Sequence, residues 1–411
     1  MPFFGPRRIT NTEGEHDMTV TRDEAIELLE AMVRIDSVTP WLIPGGAGEG
    51  EVARFMRDWL ADLGLDVTLE EVEPGRPNVL AWLRGSAPGP TICLSAHSDT
   101  VGYANWADTA LQPVIDGDRM IGLGVADDKG GCAAAMLAVR ELVRSGTELA
   151  GNVLVALVID EEGISIGTEH LVAHHADEID LAINLEPDGS HTIYGEHQGF
   201  GWIDIVVHGE PAHGSAPDKG VDAIVHMAEV VTRLHQLDET RWKPNPDPKN
   251  GRTVFHTGTI RGGTDYATYP NQAVLGIEIG TQPGETLADR VAEIEAIFAE
   301  VTQSEPRFRG EVIVRLDRDP FTGEGNEALL SALGDATEAV NGVRSPVTGL
   351  NAWTDAALFQ SAGIPTVLFG PEGGNYHAAQ EWVSIPDTIA TTEILHRTLV
   401  TLLGTSVSAS Q

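Results

Sequence analysis

Apolar positions change their spacing several times along the chain, and each change marks a different element. Ile26, Leu28, Leu29, Met32 and Val33 recur at helical spacing just after Thr21-Arg22-Asp23-Glu24, which fits a capping box. Val52, Phe55, Met56, Trp59, Leu60 and Leu63 predict a second helix, stopped by Gly64. Between 77 and 186 the pattern shifts to short apolar runs at 78–83, 91–96, 152–159 and 181–185. Helical segments at 131–144 and 168–175 lie between them, an alternation that predicts a largely parallel α/β sheet. From about 200 to 319 the order becomes strand 202–207, helix 221–237, strands 253–260 and 273–280, helix 286–301, strand 311–316. That is β-α-β-β-α-β, a split ferredoxin-like unit. The Pro-rich stretch 238–251 between them reads as an exposed loop. After 320 come helices at 327–340 and 355–362, a strand at 366–369 and a closing helix to about 403. The expectation is a discontinuous α/β domain, 1–199 with 320–411, interrupted by a ferredoxin-like domain, 200–319.

Composition narrows the class. The chain has 411 residues, 42% of them hydrophobic, enough for two or three domains with a full core. No apolar stretch approaches the ~18 residues a membrane span needs, so no membrane association is expected. The Arg pair near the N-terminus is followed by no apolar region of a secretory signal, and the cytoplasm is the expected compartment. Basic residues number 26 against 62 acidic, a net charge of −36, and such a field repels phosphate backbones. Nucleic acid is therefore not an expected partner. Cys93 and Cys132 are the only cysteines and read as buried free thiols.

The chemistry gathers where the buried runs end. Run 91–96 leads into His97-Ser98-Asp99, run 152–159 into Asp160-Glu161-Glu162-Gly163, and run 181–185 into Glu186-Pro187. Run 366–369 is followed, after a Gly-rich turn, by His377. Sites in open α/β sheets lie outside the carboxyl ends of the strands. One acidic residue at a strand end is ordinary loop solvation; four apolar runs ending in a His/Asp/Glu set are not. Carboxylates ~4 Å apart repel by roughly 4 kcal/mol per pair at an effective dielectric near 20. Divalent cations remove that cost, and mixed His/carboxylate ligands suit zinc. The Gly-rich segment 122–131 has no Gly-Lys-Ser/Thr, so it reads as a tight loop presenting Asp127 rather than a phosphate cradle.

At this point a resemblance enters. Segments 95–101 (SAHSDTV), 122–131 (GLGVADDKGG), 160–163 (DEEG), 184–187 (NLEP) and 376–382 (YHAAQEW) resemble, in order, the dinuclear-zinc hydrolase family. That family includes aminoacylase, acetylornithine deacetylase, succinyl-diaminopimelate desuccinylase and carboxypeptidase G, and the resemblance runs from about 22 to 403. It implies that Asp127 bridges two divalent metal ions, zinc first and cobalt or manganese as alternatives. His97 and Glu186 would complete one site, Glu162 and His377 the other. Asp99 would orient the His97 imidazole, and Glu161 would be the general base. Metals ~3.5–4 Å apart lower the pKa of a shared water and polarise a carbonyl. His213, in Pro211-Ala212-His213-Gly214, would supply the oxyanion donor, in dimeric relatives from the other subunit. The inserted domain would then be lid and homodimer interface.

Two positions depart from the family pattern. An Asn in the inserted domain is replaced by Ala267, and the carboxylate-binding arginine of the next strand by Gly280. Both losses suggest added volume and a missing carboxylate clamp, with Arg261 as a possible substitute. Glu186 at its ligand position goes, by resemblance, with deacylases and carboxypeptidases, where Asp goes with dipeptidases. The expected substrate is thus a small amide or peptide, an N-acyl amino acid or related amide first. A dipeptide, an aryl amide and non-catalytic metal binding are the alternatives. Tyr194, Trp353 and Tyr376 are candidates for a substrate pocket. His170 and His174, four apart on a helix, read as a solvated face.

Overall fold

The computed structural model describes residues 20–103 and 106–405, so the N-terminal stretch read for a leader lies outside the described residues. An eight-stranded sheet forms the centre. Its order is Asp66–Glu73, Arg76–Arg84, Ala150–Val158, Ala87–His97, Leu181–Asn184, Thr366–Leu368, Ile193–His197 and Val347–Leu350. The middle pairings are parallel, while Arg76–Arg84 runs antiparallel to both its neighbours. The sheet is therefore mixed, not largely parallel.

Helices cover both faces. Lys129–Ser145 is buried from Lys129 through Leu142, because Gly130, Gly131, Ala133, Ala134, Ala135 and Ala138 let it lie flush beneath the sheet. Ile385–Leu403, Glu327–Asn341 and Arg22–Val33 close the same core. Thr21 caps the last of these in the predicted capping box, with its N–H donating to Glu24 Oε2 at 2.9 Å. On the opposite face Leu171 and Phe359 pack against Trp82, Cys93 and Leu154. Both cysteines are buried and unpaired.

Between 199 and 318 the chain builds a second, antiparallel sheet in the order Phe255–Gly262, Gln272–Thr281, Gly199–His208, Arg309–Arg318. Helices Ala223–Leu237 and Leu287–Ser304 cover one face, burying Ile203, Ile205, Val207, Leu275 and Ile277 against Met227, Val230 and Phe298. Alternation along Gly199–His208 then turns Phe200 and Trp202 to the other face. The Pro-rich stretch is a mostly exposed loop from 243 to 249, as read, and departs from that reading at its start. Residues Asp238–Trp242 continue the preceding helix, and Trp242 is buried, donating its indole N–H to Glu293 at 3.1 Å. No helix among the described residues is long and apolar enough to cross a membrane.

Candidate metal centre

Strand register brings the charged ends to one level. His97 lies opposite Val158, Ser95 opposite Asn184, and Asn184 opposite Leu368. The chain therefore leaves four neighbouring strands together, and His97, Glu161, Glu162 and Glu186 emerge at one edge. Ligand atoms of His97, Asp127 and Glu186 lie within 4.8 Å of one another, and so do those of Asp127, Glu162 and His377. Asp127 belongs to both sets. Its Oδ1 is 3.0 Å from His97 Nε2 and its Oδ2 is 3.3 Å from His377 Nε2.

The donor set tests well for cations. Glu162 Oε1 is buried without a hydrogen-bond partner, although His377 Nε2 lies 2.9 Å away. Carboxylates buried this close together are unfavourable unless positive charge, an imidazolium or a bound cation, sits among them. Burial pushes the Glu161, Glu162 and Glu186 carboxyls up, Glu162 to about 7, and negative neighbours add to it. Asp127 stays below the usual carboxylate range in spite of burial, because His377 and His97 hold its charged form. Contact with Asp127 and Glu162 in turn raises His377 to about 10. Burial alone would lower His97, but Asp127 and Asp99 outweigh it and raise it.

Long-range contacts fix this cluster. Asp99 Oδ1 lies 3.4 Å from His97 Nδ1, and the two Asp99 oxygens accept the backbone N–H groups of Glu161 and Glu162 at 3.1 Å each. Buried Glu381 accepts from the backbone of Gly124, Ala126 and Asp127 at 2.8–3.0 Å, which sets the loop that presents Asp127. Gly124 is obligatory there, since it has φ +64° and an added Cβ would sit 2.2 Å from Thr100 Cγ2. Behind the Glu161-Glu162 turn, buried Arg76 donates to both oxygens of Glu49 and to Asp160 Oδ1, each at 2.7 Å. Asp355, raised to about 6 chiefly by burial, accepts from Thr168 at 2.5 Å. Sequence reading missed Glu381, Arg76 and Asp355. For Glu381 a signal exists in the 376–382 motif; for Arg76 it is a charge at the start of the strand whose apolar run is 79–83.

The cluster opens into a cavity of about 530 Å³. Phe200 and Trp202 line one wall, Trp353 and Tyr376 another. Tyr194 does not line it; its hydroxyl donates to Asp188. His213 is also absent from the described lining, standing exposed with Nδ1 2.8 Å from the Ser215 hydroxyl. Ala267, whose carbonyl accepts from Gly214 at 2.7 Å, is exposed beside that loop, and Arg261 is exposed outside the lining. Gly280 corrects the expectation of added volume. A Cβ there would lie 2.7 Å from Gln198 Oε1 and 3.1 Å from the Val254 nitrogen. Buried Gln198 fills the space, accepting from Val254 N at 3.2 Å and donating to the Arg252 carbonyl at 2.8 Å. Nothing in the sequence signalled it. His170 and His174 stack at 4.1 Å on the surface, with His170 3.5 Å from Glu70, and belong to no ligand group among the described residues.

Known proteins resemble this chain in sequence and in fold. An N-formyl-4-amino-5-aminomethyl-2-methylpyrimidine deformylase of Bacillus subtilis is 28% identical over 411 residues, covering 91% of this chain and 93% of its own. Acetylornithine deacetylase of Vibrio vulnificus is 28% identical over 360 residues, covering 86% and 91%. A solved tripeptidase of Staphylococcus aureus superposes with a TM-score of 0.78 at 21% identity, covering 93% of this chain and 99% of that one. The pattern of peptidase family M20/M25/M40 matches residues 93–401. With three quarters of its length matched, the chain belongs to peptidase family M20/M25/M40 and is a hydrolase of amide bonds.

Proposed function

We propose that this protein is a metal-dependent hydrolase of the deacylase or carboxypeptidase type, cleaving an N-acyl amino acid or related small amide. One observation carries the reading: two His/carboxylate triads share Asp127. His97 and Glu186 would hold one divalent ion and Glu162 and His377 the second, with Asp127 between them. Three ligand carboxylates against two dications leave a charge of +1, which suits an attacking hydroxide. Zinc fits the ligand types first, cobalt or manganese next. When bound, such a pair lowers the pKa of a shared water and polarises the substrate carbonyl.

The chain's own residues do the rest. Glu161, whose proton affinity burial and the Glu186 charge raise, takes the water proton and returns it to the leaving nitrogen. Asp99 orients His97 and, through two backbone N–H groups, the Glu161-Glu162 turn. The tetrahedral oxyanion needs a donor from outside the cluster. His213 supplies it from the second subunit of a homodimer, since within one chain it stands exposed and apart from the cavity lining. The division into a catalytic domain, 1–199 with 320–411, and a ferredoxin-like lid and dimerisation domain, 200–319, accords with walls drawn from both sheets.

A second substrate reading, an aryl amide, is favoured by one feature. Among the described residues lining the cavity there is no lysine or arginine to meet a free carboxylate. Dialysis against a chelator should abolish hydrolysis of N-acyl amino acids, dipeptides and aryl amides alike, and zinc or cobalt should restore it on the preferred class. Full activity in protein shown by elemental analysis to be metal-free would overturn the proposal.

A further inference from the structure

The outer part of the cavity has a chemistry of its own. Phe200 stands at 62° to Trp202 with ring centres 5.7 Å apart, and at 71° to Trp353 with centres 5.6 Å apart. The three rings make a box. Trp41 stacks on Trp202 at 5.4 Å and backs that wall. Both indole N–H groups are already engaged, that of Trp202 with Glu278 Oε2 at 2.8 Å and that of Trp353 with the Asp319 carbonyl at 3.2 Å. The box therefore offers a guest its π faces and edges, not its donors. Arg318 lies 5.6 Å from the Trp353 ring centre but is held by Glu169 at 2.7 Å and is not part of the lining.

Charge at the rim is of one sign. Glu278 and Asp188 face the cavity in addition to the cluster carboxylates. Glu278 spends one oxygen on Trp202, and among the described residues its Oε1 has only His256 Nδ1, 3.9 Å away. Aromatic faces and unpaired carboxylate oxygens attract cations and N–H donors, and a carboxylate placed at this outer rim finds no lysine or arginine among the described lining residues. Gln198 closes the position where a clamp arginine would stand, so no cation reaches the guest from Gly280.

We propose that this box selects the amine half of the substrate as a flat, amino-substituted or protonatable aromatic ring, with Glu278 as its acceptor. Of the two substrate readings above this takes the second: a free carboxylate beside the amide, as in an N-acyl amino acid, lowers kcat/KM. The inference rests on reading the His/carboxylate cluster as a hydrolytic centre. In the reaction water adds to the amide carbonyl, the C–N bond breaks, and the water proton passes through Glu161 to the leaving amine. A carboxylic acid and an amine that carries the aromatic ring result.

The zinc-loaded enzyme tests this with three formamides of similar size. They are N-formyl-(4-aminopyridin-3-yl)methylamine, N-formylbenzylamine and N-formylphenylalanine. The expected order of kcat/KM is that order, with the aminopyridine at least ~10-fold above benzylamine and ~100-fold above phenylalanine. In Glu278→Gln the aminopyridine-to-benzylamine ratio should fall toward one, a change that a general loss of folding or metal does not produce. Calorimetric binding of the three product amines to the zinc-loaded protein should follow the same order even if no formamide turns over. N-formylphenylalanine turned over as fast as the aminopyridine would overturn the box and leave the hydrolytic reading standing. No turnover with any amide, together with the expected order of binding, would remove the hydrolytic reading and keep the box.

Discussion

Replacing Arg76 by methionine keeps the side-chain stem and removes the charge that anchors the Glu161-Glu162 turn. Arg76 is buried, and so are Glu49 and Asp160, which it contacts at 2.7 Å through three donor–acceptor pairs. The substitution strands two buried carboxylates. Each escapes by taking a proton, which at pH 7 costs about 4 kcal/mol for a group whose ordinary value is near 4, at 1.36 kcal/mol per pH unit. The ceiling is then about 8 kcal/mol, and breaking a buried pair by removing one partner typically costs about 3–5. Relaxation around Glu73, the half-exposed third partner at 2.7 Å, favours the lower range. Because the variant's native state binds extra protons, its deficit should shrink as pH falls. At pH 5 the same arithmetic leaves a ceiling of about 3 kcal/mol. Urea denaturation of both proteins in chelator, at pH 7 and pH 5, reads the difference. A deficit below about 1 kcal/mol at pH 7, or one that grows on acidification, would refute the reasoning.

Other expectations are as concrete. His213→Ala should lower turnover by roughly 2.7–4 kcal/mol of transition-state stabilisation with zinc content intact. Mixing it with Glu161→Gln should restore some activity in heterodimers, and none in verified heterodimers would remove His213 from the partner's site. Gly280→Ala should destabilise by about 1–3 kcal/mol, because the new Cβ meets Gln198 Oε1 at 2.7 Å. An unchanged urea midpoint would show instead that the position has room. His197, pushed down to about 4 by burial, binds its proton more weakly folded than unfolded. Its contribution is complete above about pH 6.5 and lost as pH falls toward 4, worth about 3 kcal/mol. In His197→Phe that part of the acid destabilisation should vanish; equal pH slopes in the two proteins would count against it.

Much of the fold was legible because its signals are local. Residues 91–96 and 152–159 are apolar on both faces, as central strands must be. The edge strand Asp66–Glu73 escaped notice because one flank lacks a partner strand and none of its residues is fully buried, so Asp66, Glu70, Glu71 and Glu73 sit there freely. Trp242 was misread within its Pro-rich stretch because its burial depends on Arg290, whose guanidinium lies 5.5 Å from the ring centre, and on Glu293. The same division runs through the site. His97, Glu162 and Glu186 stand at strand ends, where position in sequence tracks position in space. Glu381 reaches Asp127 across 254 residues and Arg76 reaches Asp160 across 84, distances over which periodicity carries no information. Gly280 read as a lost side chain because Gln198, which occupies the space, lies far from it in sequence.

In the proposed two-ion centre Glu161 moves the proton and Glu162 holds metal, and metal ions per chain measured together with turnover, for the wild type, Glu161→Gln and Glu162→Gln, separate the two roles. Two ions are expected in the wild type and in Glu161→Gln, with turnover of the latter lower by at least ~10²-fold, and metal loss in Glu162→Gln. Equal metal loss in both variants, or full turnover in Glu161→Gln, would contradict it.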